Sequence, residues 1–484
     1  MYVLGIDVGT TGTKTVVLGE DKKIHGLAYR EYPITSAPGG IAEQSAEAWW
    51  DAVVYTVNES TKDIDKTQIA ALSLSTQGAT TAFVDKDFNS LRPAITWMDM
   101  RATEECKILD EKLGNDGIYS RCGWTTDPGS DAAKIMWVKK HEPEIFEKIY
   151  SFVSTVEYVN FKLTGKNVVD PTNASIREIF NINTGKWDEE ILEIVGIGKD
   201  RLPEVMPSGA YVGTLTKEAS KLLGIPESVK VYNGAHDQYC ASIGCGALNV
   251  GDMMLSTGTA WVLLGIGDKL TYSKSHTCPG IHPKKGLYGN IASLSGVGNA
   301  MKWVRDTFSS DYKTLDIEAE KRVGSSKDIL FFPHFSGAGF PLKDSAMSGC
   351  IHGLRLGNDK YDIARALMEG VAFDVRASLE KYAEQGVDIS TLKIMGGASR
   401  SDLWCSIVGY VTGCKITRME NAEACAVGAA AIASVGCGMT DGYISLIEGT
   451  TMDLPDEKMY AYYNEKYNKY KALRDAVQEV VHTW

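Results

Sequence analysis

Asp7-Val-Gly-Thr-Thr-Gly-Thr-Lys14 is the stretch of sequence that decides the fold. Gly9 and Gly12 free the backbone to turn tightly and approach a ligand, and the threonines around them offer hydroxyls and successive N–H groups suited to phosphate oxygens. The stretch is not a P-loop, because the glycine-lysine spacing is too short and a strand follows where a helix is required. We interpret it as a phosphate clamp between two strands; a polar hairpin turn is the open alternative.

The pattern around this stretch predicts two α/β halves. Apolar runs at residues 3–6, 14–18 and 24–28 are typical of a meander of antiparallel strands, another strand follows at 69–75, and helical periods then dominate to about residue 225. A second strand, Gly/Thr turn and strand begins at Asp252, which suggests a second half of similar topology. We therefore place the boundary near Asn249, which gives domains 1–248 and 249–484.

Glycine turns follow three strands of the chain. Besides the first stretch, they are Ser256-Thr-Gly-Thr259 and Met395-Gly-Gly-Ala-Ser-Arg400. Glycines after strands cost stability unless the backbone must approach something closely. One nucleotide bound by all three turns would explain them together. Asp7, at the end of the first strand, could hold Mg²⁺ directly or through its waters, and a turn-capping aspartate is the alternative.

Composition excludes several partners. The chain has 484 residues, 44% hydrophobic and 23% charged, with a net charge of -12 and a pI near 5.3. This acidic balance disfavours nucleic acid and anionic lipid, and no apolar run is long enough to span a membrane. Ten cysteines without a CxxC pair suggest reduced thiols, and no signal peptide is evident at the first residues. We expect a cytoplasmic enzyme, with a homodimer as one possible assembly.

Two long motifs resemble the signatures of the FGGY carbohydrate kinases, and the similarity runs nearly from end to end. Gly129 to His141 matches one signature, with Asp131 as its departure, and Gly349 to Glu369 matches the other, with Leu367 as its departure. The resemblance implies an actin-like ATPase (ribonuclease H-like) α/β fold with two similar domains and a cleft between them. It also implies sugar binding and the catalytic aspartate in the first domain, and ATP binding in the second.

The resemblance assigns a general base and a sugar site. Phosphoryl transfer to an alcohol needs a carboxylate that accepts the hydroxyl proton. Asp237 aligns with the family's base, while a helix N-cap is the alternative from the residues alone. The family gives the adjacent His236 no role in proton transfer. The implied sugar-binding residues are Thr76, Gln77, Trp97, Asp99, Asp237 and Gln238; packing for Trp97 and an ion pair with Arg101 for Asp99 stay open.

The resemblance also implies an ATP site with Mg²⁺. The implied ATP-binding residues are Gly9, Thr10, Thr11, Thr13, Lys14, Gly258, Thr259, Gly298, Lys302, Gly396, Gly397, Ala398 and Ser401. Ser406 and Tyr410 depart from the family's usual residues, which affects the expected base and ribose contacts. Gly78 and Ala79 stand where glycerol kinase has Arg-Glu and xylulokinase usually has Met-His, so glycerol is disfavoured and the sugar is not fixed.

The sequence thus predicts an ATP-dependent kinase for a small sugar or polyol, with a ketopentose such as xylulose favoured over another keto-sugar, polyol or sugar acid. Sugar binds first and closure then excludes water in this hypothesis. Two other functions are conceivable for the fold: an actin-like nucleotide switch and a catalytically silent sugar sensor. The first would need a polymerisation or peptide-binding segment, and the second a lost base.

Overall fold

A computed structural model of the chain describes residues 1–258, 260–294, 296–324, 328–419, 423–443, 446–452 and 457–483. These residues form two compact units. Unit 1 comprises Met1–Leu248, Cys278–Tyr288 and Glu423–Leu446, and unit 2 comprises Asn249–Thr277, Gly289–Ala422 and Ile447–Trp484.

The helices and strands alternate along the chain. The strands are β1 (Tyr2–Val8), β2 (Gly12–Gly19), β3 (Ile24–Glu31), β4 (Thr35–Ala37), β5 (Ile41–Gln44), β6 (Ile69–Thr76), β7 (Ala82–Val84), β8 (Ala94–Ile95), β9 (Ser151–Val153), β10 (Val168–Val169), β11 (Phe180–Asn181), β12 (Lys186–Trp187), β13 (Glu204–Val205), β14 (Tyr211–Thr214), β15 (Lys230–His236), β16 (Asp252–Thr257), β17 (Trp261–Gly267), β18 (Cys278–Ile281), β19 (Tyr288–Ser293), β20 (Leu330–Phe332), β21 (Cys350–His352), β22 (Thr391–Gly396), β23 (Lys415–Met419) and β24 (Gly449–Thr451). The α-helices are α1 (Ala46–Ser60), α2 (Thr103–Leu113), α3 (Asn115–Cys122), α4 (Asp131–His141), α5 (Pro143–Phe146), α6 (Thr155–Thr164), α7 (Pro171–Ser175), α8 (Glu189–Val195), α9 (Lys217–Leu223), α10 (Asp237–Gly244), α11 (Val297–Thr307), α12 (Tyr312–Glu320), α13 (Lys360–Glu384), α14 (Asp402–Thr412), α15 (Ala424–Gly436) and α16 (Glu457–Val481). Short 3₁₀ helices lie at Lys66–Gln68, Lys199–Arg201 and Ala398–Arg400.

The sheet of unit 1 has the strand order β14-β15-β6-β1-β2-β3. Strands β1, β2 and β3 form the antiparallel meander that the sequence predicts, whereas β1, β6 and β15 run parallel to one another. Strand β1 reads Tyr-Val-Leu-Gly-Ile-Asp-Val and is buried along most of its length, as expected for a central strand covered on both faces.

Helix α15 covers this sheet in unit 1. It packs against α10, β1 and β6, and glycines make this close approach possible. A Cβ atom at Gly5 would lie 1.9 Å from the carbonyl oxygen of Ala426, and one at Gly428 would lie 1.8 Å from that of Cys240. The alanine-rich sequence of α15 is therefore explained by backbone-to-backbone packing on β1 and α10.

Unit 2 repeats the same arrangement of strands. Its sheet contains the order β19-β17-β16-β22-β23-β24. Strand β16 is antiparallel to β17 and parallel to β22, as β1 is to β2 and β6, and both sheets continue with one more parallel and one antiparallel strand. The predicted similarity of the two halves is confirmed, and the fold is that of the actin-like ATPases.

The longest helices of unit 2 pack on each other. Helix α13 begins with a capping box at Asp359 and Asp362, and its apolar face lies in the core of the unit. Tyr463 and Tyr470 of α16 donate hydrogen bonds to Glu369 and Asp374 of α13, at 3.1 Å and 3.0 Å. The carboxyl-terminal helix is thus bound to its unit by buried polar contacts as well as apolar ones.

None of the helices in the described part of the chain has the length and apolar composition that crossing a membrane requires. All ten cysteines are free thiols.

Candidate active site

Three parallel strands of unit 1 end side by side and bring together residues that are far apart in sequence. Asp7 of β1 pairs in register with Ser75 of β6, and Thr76 of β6 pairs with His236 of β15. The residues that follow these strands therefore start at the same edge of the sheet, which is where α/β proteins bind ligands. This edge is the candidate active site.

Asp7 lies at the end of β1, on one side of this edge, because β6 is the middle strand of the three. The Ser75 hydroxyl donates to its Oδ1 at 2.8 Å, and Asp7 is partly exposed. Burial, and after it the charge of Asp237, raise the pKa of Asp7 to about 7. Two carboxylates that repel each other in a partly buried site are a suitable environment for a divalent cation, which would relieve the repulsion.

The turn between β1 and β2 is fixed by side chains from outside it. Tyr32 donates from its hydroxyl to the carbonyl of Gly9 at 2.5 Å, and Gln44 Nε2 donates to the carbonyl of Thr10 at 2.5 Å. Within the turn, Gly9 N–H donates to Gly12 O at 3.0 Å. Thr11 is exposed at the tip and Thr13 is fully buried on β2. The turn is therefore preorganised, as a phosphate-binding loop should be.

Lys14 follows this turn and forms an ion pair with Glu423, the residue before α15. Both side chains are largely buried. Glu423 also contributes to the raised pKa of Asp7. The lysine that the sequence assigns to ATP is thus held by a carboxylate more than four hundred residues later in the chain.

Asp237 is the first residue of α10, and His236 occupies the N-cap position. The alternative interpretation of Asp237 as the N-cap is therefore wrong. Its carboxylate receives a hydrogen bond from Gln238 Nε2 at 3.1 Å, and His236 Nε2 lies 3.2 Å from the same Oδ1. The Asp237 side chain is 27% exposed, so it remains accessible to a substrate.

Thr76 and Gln77 extend this edge beyond β6. Thr76 Oγ1 donates to Asn173 Oδ1 at 3.2 Å, and Gln77 Nε2 donates to Gln44 Oε1 at 3.0 Å. Gln77 is buried, and its Oε1 has no hydrogen-bond partner among the described residues. A buried acceptor without a protein partner is the kind of atom that a ligand hydroxyl would satisfy.

Trp97 and Asp99 lie near this edge in different environments. Trp97 is 48% exposed, and its Nε1 donates to Thr10 Oγ1 at 3.0 Å, which links the predicted sugar-binding ring to the phosphate turn. Asp99 is fully buried and accepts from Ala42 N at 2.7 Å and from the Arg101 guanidinium at 2.7 and 2.9 Å. These contacts engage both oxygens of Asp99, so a sugar hydroxyl would be an additional partner.

Residues 78 and 79 form a tight loop that a hydrogen bond from a buried lysine holds in place. Ala79 has a φ of 47°, and its carbonyl accepts a hydrogen bond from Lys134 Nζ at 2.5 Å. Lys134 is completely buried, and burial lowers its pKa to about 8. This lysine, which lies in the motif from Gly129 to His141, thus has a structural contact with the loop at residues 78 and 79.

Unit 2 holds the remaining predicted ATP-binding residues. Thr257, at the end of β16, connects the two glycine turns of unit 2. The Thr257 carbonyl accepts from Gly397 N at 2.8 Å, and the Thr257 hydroxyl accepts from Ala398 N at 3.0 Å. Gly396 has a φ of 92°, a conformation that favours glycine. Gly258 is exposed, and Thr259 lies outside the described residues.

The other predicted residues of unit 2 lie on two helices. Ser401 caps α14, where its hydroxyl accepts from Trp404 N at 3.0 Å. Gly298 is partly buried and Lys302 is exposed, and both are on α11. The Ser401 hydroxyl also hydrogen-bonds to the Asp316 carboxylate, so this side chain is engaged within unit 2 both as an acceptor and as a donor.

Sequence reasoning missed the residues that support the site. They are Tyr32, Gln44, Asn173 and Glu423. No local pattern marks them, because each acts through a contact with a residue distant in sequence. Gln44 directly precedes Ser45, the N-cap of helix α1, and its burial is visible only in the structure.

Comparisons with known proteins identify the family of the chain. The model of the FGGY carbohydrate kinases' N-terminal domain matches residues 2–244, and that of their C-terminal domain matches residues 253–437. The chain is 28% identical to a xylulose kinase of Bacillus subtilis, over 99% of this chain and 96% of the relative. Among solved structures, the ligand-bound xylulose kinase of Lactobacillus acidophilus superposes with a TM-score of 0.92 at 26% identity, covering 99% of this chain and 98% of that one. The gluconate kinase of the same organism also gives a TM-score of 0.92 at 26% identity, with 98% of both chains covered. This chain belongs to the FGGY family of carbohydrate kinases.

Proposed function

We propose that this carbohydrate kinase transfers the terminal phosphoryl group of ATP to a hydroxyl of a ketopentose such as xylulose. The observation that carries the proposal is the convergence of Asp7, Gln77 and Asp237 at the ends of three parallel strands of unit 1. A phosphoryl transfer needs a cation site, a hydroxyl-binding group and a base close together. This edge of the sheet offers one residue suited to each.

Asp237 is the proposed general base. Gln238 and His236 both approach Oδ1 of its carboxylate, which supports a fixed orientation with Oδ2 directed to the substrate. The hydroxyl of the sugar gives its proton to Asp237 as its oxygen bonds to phosphorus, and the bond to the departing ADP oxygen breaks. Fixing the base in this way reduces the entropy that must be lost in the transition state.

The turn between β1 and β2 is the proposed phosphate site. Its backbone N–H groups and the hydroxyls of Thr10, Thr11 and Thr13 would bind phosphate oxygens, with Lys14 as the nearby cation. Mg²⁺, when bound, neutralises phosphate charge, and Asp7 would hold it directly or through water. Burial and the charge of Asp237 raise the pKa of Asp7 to about 7, and a cation bound there would counter both effects and favour the ionised carboxylate.

The proposed nucleoside contacts come from unit 2. We assign them to the turns that Thr257 joins, which include Gly258, Gly396, Gly397 and Ala398, and to Ser401, Gly298 and Lys302 on the neighbouring helices. Thr259 is retained in the proposal from its motif alone. The same proposal assigns sugar binding to residues 1–248 and ATP binding to residues 249–484, although the compact unit 1 also includes Cys278–Tyr288 and Glu423–Leu446.

An uncharged sugar fits the described side chains better than a sugar acid. Two cationic groups near the predicted sugar positions are already engaged: Lys134 with the carbonyl of Ala79, and Arg101 with Asp99 and Glu43. The exposed face of Trp97 suits the C–H side of a sugar, and the free acceptor of Gln77 suits a hydroxyl. The names of the similar kinases include xylulose and gluconate, and these contacts favour the first.

A screen for ADP release tests the proposal. The purified protein would be incubated with ATP, Mg²⁺ and, separately, ketopentoses, ketohexoses, polyols and aldonic acids. We expect the highest kcat/KM with a ketopentose. When Mg²⁺ is chelated, we expect no ADP release with any sugar. A preference for an aldonic acid or glycerol would contradict the substrate proposal but leave the kinase activity intact. The oligomeric state, predicted as a possible homodimer, would be measured by light scattering.

A further inference from the structure

Gly78 and His236 are in direct van der Waals proximity at the candidate active site. A Cβ atom at residue 78 would lie 2.7 Å from His236 Cδ2, 3.0 Å from its Nε2 and 3.0 Å from Ile176 Cδ1. Real Cβ atoms do not approach other atoms to 2.7 Å, and the imidazole is rigid. The ring of His236 therefore occupies the volume that any side chain at residue 78 would need.

The imidazole is held in this place from several sides. The His236 N–H donates to Thr172 Oγ1 at 2.7 Å, which fixes the backbone at the end of β15. Tyr239 packs at the ring edge with centroids 6.4 Å apart, and a Cβ at Gly280 would lie 2.3 Å from its hydroxyl, so Tyr239 has little freedom to move. His236 is 7% exposed. Its position is thus set by packing and not by a flexible surface contact.

From this position the ring contacts the proposed base. His236 Nε2 lies 3.2 Å from Oδ1 of Asp237, the oxygen that also accepts from Gln238. A side chain at residue 78 would press on Cδ2 and Nε2 of this ring, and would therefore shift the nitrogen that contacts the carboxylate. The identity of residue 78 and the orientation of Asp237 are linked through the imidazole.

We propose that His236 is a positioning residue for Asp237, and that it acts only because residue 78 is glycine. In this coupled pair, the ring fills the volume beside Asp237 that a side chain at residue 78 would otherwise need. This inference rests on the proposed function, because it takes Asp237 as the base. It explains why Gly78 departs from the patterns of the better-known kinases: the departure makes room for His236.

A double-mutant cycle tests the coupling. Gly78→Ala should lower kcat by about 10- to 100-fold in the native background, since the added methyl displaces the ring and misplaces the base. In the His236→Ala background the same change should alter kcat by less than about 2-fold, because the group that it displaces is gone. The KM for ATP should stay within about 2-fold throughout, since the phosphate turn is not touched. Gly213→Ala is the matched control, because its Cβ would meet Thr164 only at 3.5 Å.

Two further variants separate positioning from packing. His236→Leu keeps volume but loses the donor, whereas His236→Gln keeps a donor, so we expect Gln to retain at least about 5-fold more kcat than Leu at similar melting temperature. Additive effects of the Gly78 and His236 changes, or equal kcat for the Leu and Gln variants, would overturn the proposal. If the double variant does not fold, each folded single variant is combined with Thr172→Val instead. The coupling is then measured from the melting temperatures of the single and combined variants. If Asp237→Asn remained active, the proposed base would be wrong whatever the double-mutant cycle shows. If Asp237→Asn were inactive and the effects at Gly78 and His236 were additive, only the coupling of these two residues would be rejected.

Discussion

At the residue scale, the carboxylate of Asp237 should carry most of the chemistry. Asp237→Asn keeps the shape and the contacts with Gln238 but cannot accept the hydroxyl proton. We expect kcat to fall by about 10²- to 10⁴-fold, with the affinity for ATP unchanged within about 2-fold. The measurement combines an ADP-release assay with calorimetric titration of ATP. Retained turnover with an unchanged fold would show that another group takes the proton.

Asp7 makes the stability of the ligand-free protein depend on pH in an unusual direction. Its pKa is about 7 in the folded protein and near 3.8 when exposed, so the folded state binds this proton more tightly. The contribution of Asp7 to the free energy of unfolding is therefore greatest below about pH 4 and falls as the pH rises through about 7. Asp7→Asn should raise the free energy of unfolding at about pH 8 by on the order of 1–3 kcal/mol, and should abolish activity.

Asp65 is a control for Asp7, because its pKa is shifted in the opposite direction. Hydrogen bonds from Thr67 and Gln68 hold the pKa of the exposed Asp65 below its usual value. Asp65→Asn should therefore lose stability at neutral pH, and this loss should disappear as the pH falls below about 4. Urea denaturation at several pH values measures both variants. An Asp7→Asn variant that is less stable than the native protein at about pH 8 would contradict the raised pKa of Asp7.

At the element scale, α15 depends on the absence of side chains at its contacts. A Cβ at Gly428 would lie 1.8 Å from the carbonyl oxygen of Cys240, so Gly428→Ala must push α15 away from α10. We expect a loss of about 1–3 kcal/mol or more in the free energy of unfolding. Gly442→Ala, whose Cβ would meet nothing within 4 Å, should change it by less than about 0.5 kcal/mol. Equal stabilities of the two variants in urea denaturation would contradict this packing.

The elements that the sequence could predict are those with local signals. Repeated apolar runs and Gly/Thr turns predicted the β1–β3 meander, the second half and the turn at Asp7, because strand periodicity and glycine conformation are local properties. The pairing of Lys14 with Glu423 and of Gly78 with His236 could not be predicted, since it depends on which distant segments the sheet brings together. The burial of Asp99 likewise follows from Ala42 and Arg101, and only Arg101 is near in sequence.

At the scale of the whole molecule, unit 1 is discontinuous in sequence. Its sheet is complete within Met1–Leu248, yet α15, which covers β1, β6 and α10, comes from the segment Glu423–Leu446. A single cut in the chain therefore does not separate the two units. The buried alanines of α15 occupy a surface that would otherwise expose apolar β1 and α10 residues to water.

A polypeptide of residues 1–248 should accordingly fail to fold as a cooperative unit. Without α15 the backbone surface around Gly5 and Gly244 is uncovered, and we expect aggregation or a loss of near-ultraviolet circular dichroism. Joining residues 278–288 and 423–446 to it through Gly/Ser linkers supplies the missing segments and should restore a cooperative urea transition. The same fusion with Gly428→Ala is the matched control, and it should unfold at lower urea because α15 can no longer approach Cys240. Cooperative unfolding of residues 1–248 alone, at the same urea midpoint as the fusion, would show that α15 is dispensable to unit 1.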